Sequence, residues 1–168
     1  MSPRRKPKRI SEYDYSQYGA YFVTICVKDM QQILGEIEID NGVVGVDAHI
    51  DPCIKLSNTG MIVDKYIKNI EKTNNIINVE KYVIMPNHIH LILFVKNDGS
   101  IWASTPTSSA VSNTVRSLKI LTTKEIGYSI WQRSYYDHVI RNEQDYVRIW
   151  EYIENNPLQW DIDKFYNE

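Results

Sequence analysis

The chain has 168 residues, 43% of them apolar and 24% charged, with a formal net charge of −2. That length suits one domain with a real core and leaves little for a second. The charge balance excludes a generally basic surface, so any nucleic-acid contact must come from local patches. The two cysteines, Cys26 and Cys53, lack a CxxC spacing, which argues against a disulfide scaffold or a cysteine zinc site. Each sits in or beside an apolar run and reads as a buried, reduced thiol. No run reaches the roughly 18 apolar residues of a membrane span, and no apolar core follows the basic N-terminus as in a signal peptide. The expectation is a cytoplasmic protein with no membrane partner.

Residues 1–12 read as a basic flexible arm and 13–168 as a single domain. The arm holds Arg4, Arg5, Lys6, Lys8 and Arg9 with two prolines, and is either a solvated tail or a phosphate-contacting segment. Residues 21–27 are β-branched and aromatic and predict a central strand. Residues 33–39 predict a second strand. Asn41-Gly42 is a hairpin signal, with 43–46 as a short return strand. Ser57 or Asn58 caps a helix whose apolar stripe is Ile62, Val63, Tyr66, Ile67 and Ile70, and Asn74-Asn75 stops it. Residues 76–85 and 88–95 predict two strands joined by a Pro86-Asn87 corner. Residues 97–109 form a low-complexity loop that contains Trp102. A helix follows over about 110–126, with Val111, Val115, Leu118 and Leu121 as its stripe and Gly127 as its end. Residues 131–140 are aromatic and short, either a strand or a crossing loop. A last helix spans about 143–155, stopped by Pro157. The order predicts an α+β fold, an antiparallel sheet with helices on one or both faces.

His88 and His90 stand at i and i+2 of a strand and share one face. Two such imidazoles can chelate one divalent ion, or they are partly exposed structural histidines. A pair is too few for a complete site, so a third ligand must come from elsewhere. In the last helix, Tyr146, Ile149, Trp150 and Ile153 make the buried stripe, while Tyr152 and Asn156 lie together at its flank. Tyr152 is either a rim tyrosine of the core or a group reaching a site. Asn156 is either an ordinary helix-end residue or an oxygen ligand suited to magnesium or manganese. Taken together, these are the parts of metal-assisted covalent phosphoryl transfer. A free tyrosine, with a pKa of about 10, needs such help near neutral pH.

The segment Tyr82-Val-Ile-Met-Pro-Asn-His-Ile-His90 resembles the HUH motif (His, hydrophobic, His) of single-tyrosine transposases, in the branch associated with repetitive extragenic palindromes. Three further blocks agree in order. They are Gly19-Ala-Tyr-Phe-Val-Thr-Ile-Cys26 with the preceding Tyr13-Asp-Tyr-Ser16, then Trp131-Gln-Arg-Ser-Tyr-Tyr-Asp-His-Val-Ile-Arg-Asn-Glu143, then Tyr152-Ile-Glu-Asn-Asn-Pro-Leu-Gln-Trp160. The resemblance implies a ferredoxin-like or RRM-like sheet with helices packed on it. It also implies His88, His90 and Asn156 as ligands of a divalent ion (Mg2+ or Mn2+) and Tyr152 as nucleophile. The partner it implies is single-stranded DNA bearing imperfect palindromic hairpins, cut through a 5′-phosphotyrosine bond and rejoined by the reverse step. Arg116, Lys119, Arg133 and Arg141, with Arg4 and Arg5 of the arm, are candidate phosphate contacts. Trp102 and Trp131 are candidates for base stacking or for the core. His138 is a candidate auxiliary for proton transfer or a structural hydrogen-bonding residue. Tyr135 and Tyr136 are the rival nucleophiles. A homodimer is compatible with the resemblance. Two other functions remain open: a replication-initiating HUH nuclease, and a hairpin-DNA-binding protein without turnover.

Overall fold

The apolar run after Tyr18 forms β1 (Gly19–Cys26), the strand on which the rest of the sheet is hung. It pairs antiparallel on one side with β5 (His88–Val95) and on the other with β6 (Tyr136–Ile140). β4 (Ile77–Met85) completes a four-stranded sheet of order β4-β5-β1-β6. α1 (Asn58–Thr73) connects β1 to β4 by way of a separate hairpin, β2 (Gly35–Ile39) with β3 (Pro52–Leu56). α2 (Ala110–Ile126) connects β5 to β6, and α3 (Glu143–Glu154) follows β6. With the hairpin and α3 set aside, the path is β-α-β-β-α-β on an antiparallel sheet, the ferredoxin-like arrangement. The computed structural model describes residues 18–39, 52–96 and 110–162. The basic arm, the Asn41-Gly42 turn, the return strand expected at 43–46 and the 97–109 loop with Trp102 lie outside the described residues. Among the described residues no helix is long and apolar enough to cross a membrane.

Strand alternation divides the core in two. Tyr21, Val23 and Ile25 of β1 and Leu91 and Leu93 of β5 pack with Val63, Ile67 and Ile70 of α1 and Val111, Val115 and Leu118 of α2. Ala20 and Phe22 of β1 and Ile92 of β5 face the other way and pack with Ile149 and Ile153 of α3. Both β1 and β5 are therefore covered on both faces, which explains their nearly continuous apolar sequences. His88 and His90 fall on the α3 face.

Two expectations are corrected, those for Leu121 and Cys53. Leu121 is 40% exposed, and the polar Thr114 and Thr122 are buried in its place. Thr122 is acceptable there because its hydroxyl donates to the Leu118 carbonyl and accepts from Trp131 Nε1. That bond, with a bridge from Val27, places Trp131 in the core. Cys26 is buried as expected, but Cys53 is exposed. It sits opposite Glu38 on the two-stranded hairpin, where alternation turns it outward. β3 itself carried no expectation, because only Ile54 and Leu56 are large and apolar in a segment that opens with proline.

The hairpin returns to α1 through a close backbone approach. Ser57 caps α1, accepting from the Gly60 amide at 3.1 Å, and its hydroxyl donates to the Ile33 carbonyl at 2.6 Å. Gly60 packs so closely that a Cβ there would overlap the Leu34 carbonyl oxygen. The Leu34 amide in turn donates to the Pro86 carbonyl at 2.9 Å. The start of α1 thus braces the corner that precedes His88.

Candidate active site

His88 and His90 are both fully buried, and their Nε2 atoms stand 2.9 Å apart. Each ring is held from behind. His88 Nδ1 lies 2.7 Å from the side-chain oxygen of Asn87, and His90 Nδ1 lies 2.7 Å from Thr24 Oγ1 across the β1–β5 pairing. An amide oxygen only accepts, so His88 Nδ1 is the donor to Asn87. Aromatic walls complete the setting. Phe22 stacks on His90 with centroids 5.1 Å apart, and Trp160 stacks near His88 at 6.2 Å.

Tyr152 projects from α3 over this pair. Its hydroxyl is 3.3 Å from His90 Nε2, and its ring lies 5.2 Å from the His90 ring, tilted by 60°. Phe22 meets it edge-on at 6.0 Å. Asn156 is buried in the turn between Tyr152 and Trp160, after its amide has donated back to the Ile153 carbonyl. The chain therefore touches the imidazole pair before and after Asn156. Two other tyrosines are hydrogen-bonded elsewhere. Tyr135 shares a hydrogen bond with Ser112 Oγ at 2.8 Å. Tyr82 donates to Asp64 at 2.7 Å, and burial and that bond push its pKa far up, unsuited to a nucleophile. Tyr136 is 39% exposed on β6, paired in register with Thr24.

The imidazoles suit a divalent ion. Two nitrogens in adjacent positions of an octahedral ion, each about 2.1 Å from it, are about 3.0 Å apart. The observed separation matches, and both Nδ1 atoms already have the outer hydrogen bonds that orient metal-ligating histidines. Among the described residues no group of three or more His, Cys, Asp and Glu side chains forms a metal cluster. Among the described residues, a third protein ligand would be of another kind, such as an amide. Thr24 and Asn87 were not singled out from sequence. The signals were present, as a hydroxyl inside an apolar strand and an amide directly before His88. Replacing Asn87 with leucine is expected to lower Mn2+ affinity about 10–100-fold, as read by calorimetric titration, because His88 loses its orienting acceptor. Unchanged affinity would remove Asn87 from this role.

The remaining candidates are spread out. His138 Nε2 lies 2.6 Å from Asp145 in the first turn of α3, an arrangement that fastens this helix to β6. The His138 hydrogen bond, aided by Arg148, holds the Asp145 carboxyl below its usual range. Arg116 and Arg133 are exposed on the α2 side of the molecule, and Arg141 is exposed just before α3. Arg4 and Arg5 lie outside the described residues. Lys119 is partly buried and donates to the carbonyls of Gln132 and Ser134, each at 2.9 Å. Burial lowers its pKa from 10.5 to about 8. The folded state thus sheds this proton before the unfolded chain does, so its contribution to stability should rise from about pH 8 to 10.5. Unfolding titrations should show wild type gaining on Lys119→Met over that window; a flat or falling difference would contradict the sign.

The antiparallel sheet thus bears two adjacent imidazoles faced by a helix-borne tyrosine. The chain belongs to the same family as an uncharacterized protein of Haemophilus influenzae, to which it is 31% identical over 180 residues, covering 96% of this chain and 93% of the relative. No protein-family model matches. In fold, it is similar to the solved structure of a REP-associated tyrosine transposase bound to a REP hairpin. The TM-score is 0.60 at 21% identity, covering 89% of this chain and 74% of the other.

Proposed function

We propose that the protein is a metal-dependent enzyme of the HUH type that cleaves single-stranded DNA next to a hairpin and transfers the strand through Tyr152. The observation that carries this reading is the Tyr152 hydroxyl 3.3 Å from His90 Nε2, itself 2.9 Å from His88 Nε2. The similarity in fold to a hairpin-bound transposase supports the choice of substrate.

In the proposed step the Tyr152 oxygen attacks a backbone phosphorus. A 5′-phosphotyrosine bond forms, the bond to the 3′-oxygen breaks, and the net fate of the phenolic proton is the freed 3′-hydroxyl. The reverse reaction rejoins strands, so no nucleotide cofactor is consumed. His88, His90 and the Asn156 amide would hold Mg2+ or Mn2+, which when bound polarises the phosphate and offsets charge on its oxygens. Phe22 and Trp160 wall the imidazoles and limit water there. Burial of both imidazoles, with their Nδ1 atoms engaged, keeps the site organised before DNA arrives. Arg116, Lys119, Arg133, Arg141, Arg4 and Arg5 would contact phosphates beyond the scissile one.

The test is incubation with single-stranded hairpin DNA and Mn2+, followed by denaturing electrophoresis. Wild type is expected to give a covalent protein–DNA band that Tyr152→Phe lacks and Tyr136→Phe retains. A band of normal intensity in Tyr152→Phe would overturn the assignment.

A further inference from the structure

Strand β4 carries one residue more than its partner requires. Val79 is paired with Leu93 and Lys81 with Ile92, which leaves Glu80 as an extra residue. The bulge changes which side chains face which helix. Ile77 and Val79 before it, and Tyr82 and Ile84 after it, pack on the α1 side, whereas Val83 packs on the α3 side. Lys81 shares the α3 side with Val83. In an unbroken alternation from Ile77 and Val79, Lys81 would point at α1.

On the α3 side Lys81 makes two contacts. Its ammonium is 2.8 Å from Glu154 Oε2 and 4.4 Å from the centroid of the Trp150 ring. Trp150 and Glu154 bracket Tyr152 in sequence. The lysine side chain is only 18% exposed whereas that of Glu154 is 61% exposed, so the ion pair is open to solvent on the glutamate side and the seat of the ammonium over the Trp150 ring is the more sheltered contact. The opposite end of α3 is fastened by Asp145 to His138 on β6. β6 and β4 are the two edges of the sheet. At about 1.5 Å per residue, the span from Asp145 to Glu154 is roughly 13–14 Å. Three strand spacings of about 4.8 Å come to roughly 14 Å. α3 thus crosses the whole sheet and is fastened near both edges, with Tyr152 close to the β4 end.

We propose that Lys81, turned onto the α3 face by the extra residue Glu80, is a positioning residue that sets where the Tyr152 hydroxyl stands over the imidazole pair. The role in the reaction rests on the proposed function; the placement of Tyr152 does not.

The experiment has two readouts on full-length protein. The first is the Tyr152 ring resonance in 13C-tyrosine-labelled protein, assigned by its loss in Tyr152→Phe. The second is the single-turnover rate of covalent adduct formation at saturating hairpin DNA. Lys81→Met keeps the aliphatic stem and removes the charge. It is expected to move or broaden the Tyr152 signal while most other tyrosines stay, and to slow adduct formation about 10–100-fold with DNA affinity within about twofold. Lys81→Arg should restore both to near wild type. Glu154→Gln, which leaves the contact with Trp150, should shift the same signal by less. An unmoved Tyr152 signal or an undiminished rate in Lys81→Met overturns the proposal, as does Lys81→Arg behaving no better than Lys81→Met. If wild type forms no adduct while the Tyr152 signal still responds to Lys81, the functional reading fails and the placement stands.

Discussion

His90→Ala is expected to lose adduct formation by at least about 10²–10³-fold while hairpin binding falls much less. This imidazole is the junction of the site. It takes Thr24 on Nδ1, meets both His88 and Tyr152 on Nε2, and is stacked by Phe22. Its removal takes away one of two convergent nitrogens and the group beside the tyrosine hydroxyl. Binding should be spared because the proposed phosphate contacts lie on other elements. The comparison needs quantitative adduct rates and a binding isotherm for the same hairpin. Equal losses in rate and affinity would show that His90 serves DNA docking and not the chemical step. His88→Ala should behave alike, since its Nε2 lies 2.9 Å from that of His90 and its Nδ1 is already committed to Asn87.

Gly60→Ala is expected to destabilise the fold by about 3 kcal/mol or more, since overpacking costs about 1–3 kcal/mol where side chains can yield. Here the atom in the way is the backbone carbonyl oxygen of Leu34, which also accepts from the Ser57 amide at 3.0 Å. Relief requires moving either the α1 start or the Leu34 peptide. The first weakens the Ser57 cap, worth about 1 kcal/mol. The second pulls on the Leu34–Pro86 hydrogen bond and so on the corner ahead of His88. A chemical denaturation midpoint gives the stability loss. A midpoint equal to wild type would mean that this contact relaxes at little cost. In surviving folded protein, weaker Mn2+ binding should accompany the lower stability.

Much of this architecture is legible in the residues. The helical stripes of α1 and α2, the Pro86-Asn87 corner and the i, i+2 histidines each follow from a local period or a local turn preference. The bounds of α2 agree with its expected range, and α3 differs only in ending at Glu154, with Asn155 as its cap. What resisted reading was non-local. β3 is a strand because β2 pairs with it, not because of its own composition. Leu121 is exposed because α1 and the sheet claim only part of the α2 circumference. Cys53 faces outward because its hairpin stands apart from the four-stranded sheet. The outer supports of the histidines depend on register. Thr24 meets His90 only because β1 and β5 pair as they do, and Lys81 reaches α3 only because β4 holds an extra residue. The histidine pair was visible at once, whereas its alignment with Tyr152 is a property of α3 lying across the sheet.

The proposed function turns on the covalent joining of Tyr152 to DNA. The most direct measurement is mass spectrometry of the nuclease-trimmed, protease-digested adduct formed by wild-type protein with hairpin DNA and Mn2+. The expected result is a nucleotide remnant, joined through a 5′-phosphate, on the peptide containing Tyr152 and on that tyrosine. A remnant on Tyr136 or another residue, or no covalent remnant under conditions where the hairpin is bound, would contradict it.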